Sequence, residues 1–169
     1  MVEQLLSDNG KFVGSKDGLE IVRELTQLVG SRNQKDEVMR ILKAAESGSA
    51  TSDANIQRTL ILALGDGLAR SRSSLAPYLE QSPAAAKLLN GMIKSAKLTL
   101  ESSSSSVAQR KQAIKTLAHA NFNEANVPLS NLLSRSQSPE VQLAALNTLT
   151  GFGSPQIGAQ VAAALPNVS

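Results

Sequence analysis

Cysteine and tryptophan are both missing from this 169-residue chain, and His119 is its only histidine. Without thiols there is no disulfide, no thiolate metal ligand, no cysteine nucleophile and no Cys-x-x-Cys-His haem attachment. A lone imidazole rules out a two-histidine metal site or a relay through a second histidine. Aromatic residues are 2% of the sequence, namely Phe12, Tyr78, Phe122 and Phe152, which leaves little material for stacking sugars or bases. The interior must therefore be built from Leu, Ile, Val and Ala. No apolar run approaches the roughly 20 residues that span a bilayer, and the N-terminus has no basic segment followed by a long apolar stretch. The expectation is a soluble segment with no visible address and no direct membrane insertion. Gly-rich phosphate loops, His-Glu metal helices and calcium-loop spacings are missing too, and no stretch alternates apolar and polar residues as a strand would. Seventeen basic and fourteen acidic residues leave a net charge of +3, which matters only if it is concentrated on one face.

What is present is an internal echo. Ala113, Ile114, Thr116 and Leu117 recur 32 residues later as Ala145, Leu146, Thr148 and Leu149. The stripe Ala125, Leu129, Leu132, Leu133 recurs as Ile157, Val161, Ala164, Leu165. Self-similarity at such a period marks a solenoid, whose units bury their apolar faces against neighbours. The spacing predicts helices over about 107–120, 124–134, 139–150 and 155–165. Ser138-Pro139-Glu140 and Ser154-Pro155-Gln156 are their matched start signals, a capping serine followed by proline at the first helical position.

Upstream the pattern is helical but less regular. Residues 1–16 predict one helical turn and a loop. Asp17 is expected to cap a helix carrying Leu19, Val22, Leu25, Leu28 and Val29, which Gly30 closes; a second helix buries Val38, Ile41, Leu42 and Ala45, and a Ser/Gly run over 47–52 ends it. Asp53 caps a buried central helix to about Arg70, in which Gly65 and Gly67 mark a close crossing of another backbone. A short turn over 73–80 carries Leu75 and Leu79, and Pro83 opens a helix with the apolar residues Leu88, Leu89, Met92, Ile93, Ala96 and Leu100. The tract Ser102–Ser106 predicts a tight turn whose last serine caps the next helix. The chain is expected to be all-α, a right-handed α-solenoid of about four HEAT-like hairpins in one continuous domain: a short N-terminal piece over 1–16, irregular pairs over 17–101, and two hairpins of 32-residue period over 102–169.

Nothing in the sequence assembles a catalytic constellation. His119 is expected at a helix end, where an imidazolium is mildly favoured by the dipole. Glu20 and Glu24 are four apart on the first core helix, on a solvated face without the burial that would raise one pKa for acid/base work. Ser7-Asp8-Asn9 lacks the Ser-x-x-Lys partner that would make it an acyl-transfer signature, and Asn167-Val168-Ser169 is a chance glycosylation triplet. No cofactor or metal is expected. Two surfaces are candidates for interaction. Arg58, Arg70, Arg72, Lys87, Lys94 and Lys97 outnumber Asp66 and Glu80 over residues 58–97, and Lys87, Lys94 and Lys97 share a helix face that would suit a nucleic-acid backbone. At the C-terminal edge, Ile157, Val161 and Leu165 lie among Ala and Gly, with Pro166 where a following repeat would begin. Such an edge looks open and predicts weak self-association.

Three segments carry a family resemblance: Leu25-Thr26-Gln27-Leu28-Val29-Gly30-Ser31-Arg32-Asn33, Leu62-Ala63-Leu64-Gly65-Asp66-Gly67-Leu68-Ala69-Arg70, and Ser138-Pro139-Glu140-Val141-Gln142-Leu143-Ala144-Ala145-Leu146. Together they resemble the HEAT-like helical region of the multidomain, planctomycete-type membrane-bound dehydrogenases, over most of residues 19–165. The resemblance implies a parent protein with a sugar-dehydrogenase-like propeller before the helical repeats and a cytochrome c-like haem domain after them, in an extracytoplasmic or membrane-associated setting. This chain has neither the haem motif nor a strand-rich propeller, so no catalytic residue carries over. The expected function is a non-catalytic scaffold or docking segment that meets a protein partner or flanking domains of the same polypeptide. The alternative is a nucleic-acid-binding helical repeat using the basic residues of 58–97.

Overall fold

Ser15, Asp53, Ser106 and Asn121 each start a helix by accepting one of its first free backbone N–H groups at a short polar side chain. The computed structural model describes residues 15–46, 53–154 and 157–158, and among them every regular element is a helix. In order these are α1 (Lys16–Arg32), α2 (Lys35–Glu46), α3 (Ala54–Arg70), α4 (Ala76–Leu79), α5 (Pro83–Glu101), α6 (Val107–Leu117), α7 (Phe122–Asn131) and α8 (Pro139–Gly151). Among the described residues no helix is long and apolar enough to cross a membrane. Of the turn and loop expected over 1–16, residues 1–14 lie outside the described residues and Ser15 and Lys16 instead begin α1; the Ser/Gly run over 47–52 and nearly all of the expected 155–165 helix also lie outside them.

The chain divides into two compact units, Met1–Asn90 and Gly91–Ser169, with the division inside α5. In the first unit α1 packs along α3, α2 packs on both, and α4 packs on α2. The central role of α3 follows from its composition: Ile56, Leu60, Ile61, Ala63, Leu64 and Leu68 are all buried and form one broad apolar face. Asp53 caps it, its carboxylate accepting from the Asn55 N–H at 2.8 Å.

The α1–α3 contact is made through glycine. A Cβ placed on Gly30 would overlap the Leu64 carbonyl and come within 2.9 Å of the Gly67 Cα, and one placed on Gly67 would overlap the Gln27 carbonyl. The two backbones therefore touch where no side chain fits. Gly67, one of the two glycines expected at a crossing, makes this contact, and its counterpart is Gly30. That contact also corrects the reading of α1. The helix does not stop at Gly30; it continues to Arg32 and ends on Asn33 in the left-handed region (φ 52°). Ser15, not Asp17, caps its start by accepting from the Gly18 N–H at 3.0 Å. Its buried face is Gly18, Val22, Thr26, Gln27 and Gly30, while Leu28 is 58% exposed. Close backbone approach selects the face with the smallest residues, and the more apolar neighbouring face is left outward.

A long-range cap closes the unit. Glu46, the last residue of α2, accepts at Oε1 from the Ala85 N–H at 3.0 Å and from the buried Ser82 hydroxyl, placing a carboxylate at the positive end of α5.

In the second unit α6 and α7 both pack against α8. The core gathers Ile93, Leu100, Ile114, Leu117, Leu129 and Leu149, each fully buried aliphatic contributing about 1.5–3 kcal/mol. Helix α7 starts two residues earlier than the spacing predicts because Asn121 caps it, accepting from the Glu124 N–H at 2.9 Å. Phe122 and Phe152 meet edge to face with ring centroids 5.8 Å apart.

Candidate functional site

The serine-rich turns repeat in detail. Before α6, Ser102 and Ser104 share a hydroxyl hydrogen bond of 2.9 Å, and Arg110 donates from Nη2 to the Ser102 carbonyl at 2.7 Å. Before α8, Ser134 and Ser136 share one of 2.8 Å, and Gln142 donates from Nε2 to the Ser134 carbonyl at 2.7 Å. Each of these residues stands 32 positions from its counterpart. The turn backbones match as well, with Ser105 N–H on the Ser102 carbonyl and Gln137 N–H on the Ser134 carbonyl. Ser106 and Ser138 then cap with the same φ of −67°. Ser106 completes a capping box with Gln109, whereas the buried Ser138 hydroxyl has no partner among the described residues.

Arg110 does more than its counterpart. Its guanidinium also donates to the carbonyls of Leu100 and Ser105 and to Gln137 Oε1, each at 3.2 Å. The five-donor fork of arginine suits a turn that presents several carbonyls at once. The apolar echo singled out neither Arg110 nor Gln142. The signal that would have found them is two long hydrogen-bond donors at the same 32-residue spacing, eight residues after a serine.

The expected basic residues are divided between the two units. In the first, Arg58 and Lys87 are exposed and make no ion pair among the described residues. Arg70 donates from Nη2 to Gln27 Oε1 at 3.2 Å. Arg72 is exposed and left-handed, with φ 58°. It is the residue after the C-cap of α3, and the bonds from Arg72 N–H to the Ala69 carbonyl and from Ser73 N–H to the Leu68 carbonyl form the paired closure that usually places glycine there. In the second unit Lys94 is exposed, while Lys97 is paired with Glu124 at 3.0 Å.

A shallow cleft of about 450 Å³ lies at the α1–α3 contact, lined by Arg23, Glu24, Gln27, Leu28, Ser31 and Arg70. At its base the buried Gln27 amide accepts from Arg70 and donates to Asp66 Oδ2 at 3.3 Å. Arg23 is held by Glu20 at 2.5–2.9 Å. That hydrogen bond holds the Glu20 carboxyl below the usual glutamate range, with burial opposing and the charges of Arg23 and Lys16 adding to it. Both guanidinium groups of the cleft are thus engaged within the protein, Arg23 by a carboxylate and Arg70 by a neutral amide. It offers hydrogen-bonding groups and one apolar rim residue, but no imidazole or convergent carboxylates. Among the described residues no three of His, Asp and Glu converge as a metal site would require.

Of the expected C-terminal edge, Ile157 is 6% exposed and faces inward, so it belongs to the core of its unit and offers no open surface. Val161, Leu165 and Pro166 lie outside the described residues, as do Ser7-Asp8-Asn9 and Asn167-Val168-Ser169. His119 is half-buried just beyond α6, and its backbone N–H donates to the Thr116 carbonyl at 3.2 Å.

Compared with known proteins, the chain matches no family model, no curated protein and no solved structure.

Proposed function

We propose that this chain is a non-catalytic docking scaffold. It is a right-handed, HEAT-like α-solenoid whose outward helix faces meet a protein partner or a flanking domain of the same larger polypeptide. The supporting observation is the 32-residue recurrence of the serine turn with its hydroxyl pair and its side-chain donor, Arg110 and then Gln142. Equivalent polar contacts in successive turns are what stacked repeats of one design need, and stacking yields an extended surface suited to binding along its length. Leu98, Val127 and Leu143 point outward from the second unit and supply apolar contact area. On this reading the partner is one of the domains implied by the resemblance to planctomycete-type dehydrogenases, and redox chemistry belongs to that domain.

Binding to nucleic acid is the second reading, favoured by four exposed cations, Arg58, Arg72, Lys87 and Lys94, that form no ion pair among the described residues. Calorimetric titration separates the two. The chain is titrated with the segments that flank it in its reading frame and with a DNA duplex, at about 50 and about 200 mM salt. A scaffold binds a flanking segment with an affinity that salt barely changes. Failure of every flanking segment to bind, together with duplex binding that weakens by about tenfold or more over that salt range, would replace the scaffold reading with the nucleic-acid one.

A further inference from the structure

We draw no further inference here: the strongest candidate, the exposed Ile21 and Leu28 on α1 beside the cleft of Arg23, Gln27 and Arg70, is an apolar face whose two guanidinium groups are already engaged by Glu20 and Gln27, and nothing in the structure shows what covers it.

Discussion

Arg110 and Gln142 stand 32 residues apart and perform the same act, each donating at 2.7 Å to a serine carbonyl eight residues earlier. The acceptors, Ser102 and Ser134, are offset by the same interval. A hydrogen bond from a charged donor contributes about 1.5–3 kcal/mol and one from a neutral amide about 1 kcal/mol. Arg110→Ala is expected to lower stability by about 2–3 kcal/mol, because it removes the guanidinium donors to the Leu100, Ser102 and Ser105 carbonyls and to Gln137, and Gln142→Ala by about 1 kcal/mol. Arg110→Lys should recover less than half, since one ammonium cannot serve four separated acceptors. Urea unfolding followed by circular dichroism measures all three. Equal midpoints for Arg110→Ala and the parent chain would show that the turn does not depend on the guanidinium.

Glycine substitutions should separate by position. Gly30→Ala and Gly67→Ala each force a methyl group into the facing backbone, and each is expected to destabilise by about 3 kcal/mol or more. Gly91→Ala is the control. It lies on the exposed side of α5 with no atom within 4 Å of the added methyl group, and it should raise stability by up to about 1 kcal/mol through helix propensity. Thermal unfolding of the three variants tests the contact; similar melting temperatures would mean that α1 and α3 do not approach through these glycines.

Arg72 occupies a backbone conformation that a side chain makes unfavourable by about 1 kcal/mol. Arg72→Gly should therefore stabilise the fold by about 0.5–1 kcal/mol while removing one exposed cation. Chemical denaturation reads the first effect. If the variant is less stable, the arginine side chain makes contacts that outweigh its backbone cost.

Glu20 gives a pH prediction with a defined sign. Its carboxyl is lowered in the folded state, so its pairing with Arg23 stabilises the fold above the unfolded value of about 4.3 and is lost as pH falls through the lower folded value. Because the pair is exposed, salt should screen the effect. Carboxyl NMR titration should place Glu20 below the ordinary glutamate range, closer to it in high salt, and Glu20→Gln should leave the urea midpoint at neutral pH nearly unchanged. Titration at or above the ordinary range would contradict the pairing.

Much of this fold is legible in the residues themselves. Asp53, Ser106 and Pro83 announce their helices, and of the apolar stripe expected on α5, Leu89, Ile93, Ala96 and Leu100 are buried while Leu88 and Met92 are only half-buried. Helix α1 defeats the same reasoning because apolar periodicity weighs side chains, whereas its packing is decided by backbone approach. Thr26, Gln27 and Gly30 turn inward, and Gln27 is tolerated there because Asp66 and Arg70 satisfy its amide. Leu28 is then left outward. The role of Arg110 is hidden for a related reason: a lone arginine near a helix start resembles any solvated charge until the turn folds and directs its carbonyls at it.

A crystal structure of the whole chain would test whether the chain is built on a 32-residue helical unit. The helical pair of residues 107–134 is expected to superpose on that of residues 139–165 after a shift of 32 positions, with the serine turns and the Arg110 and Gln142 donors in register. Helix pairs crossing at unrelated angles, or a strand in place of a helix over 155–165, would contradict it.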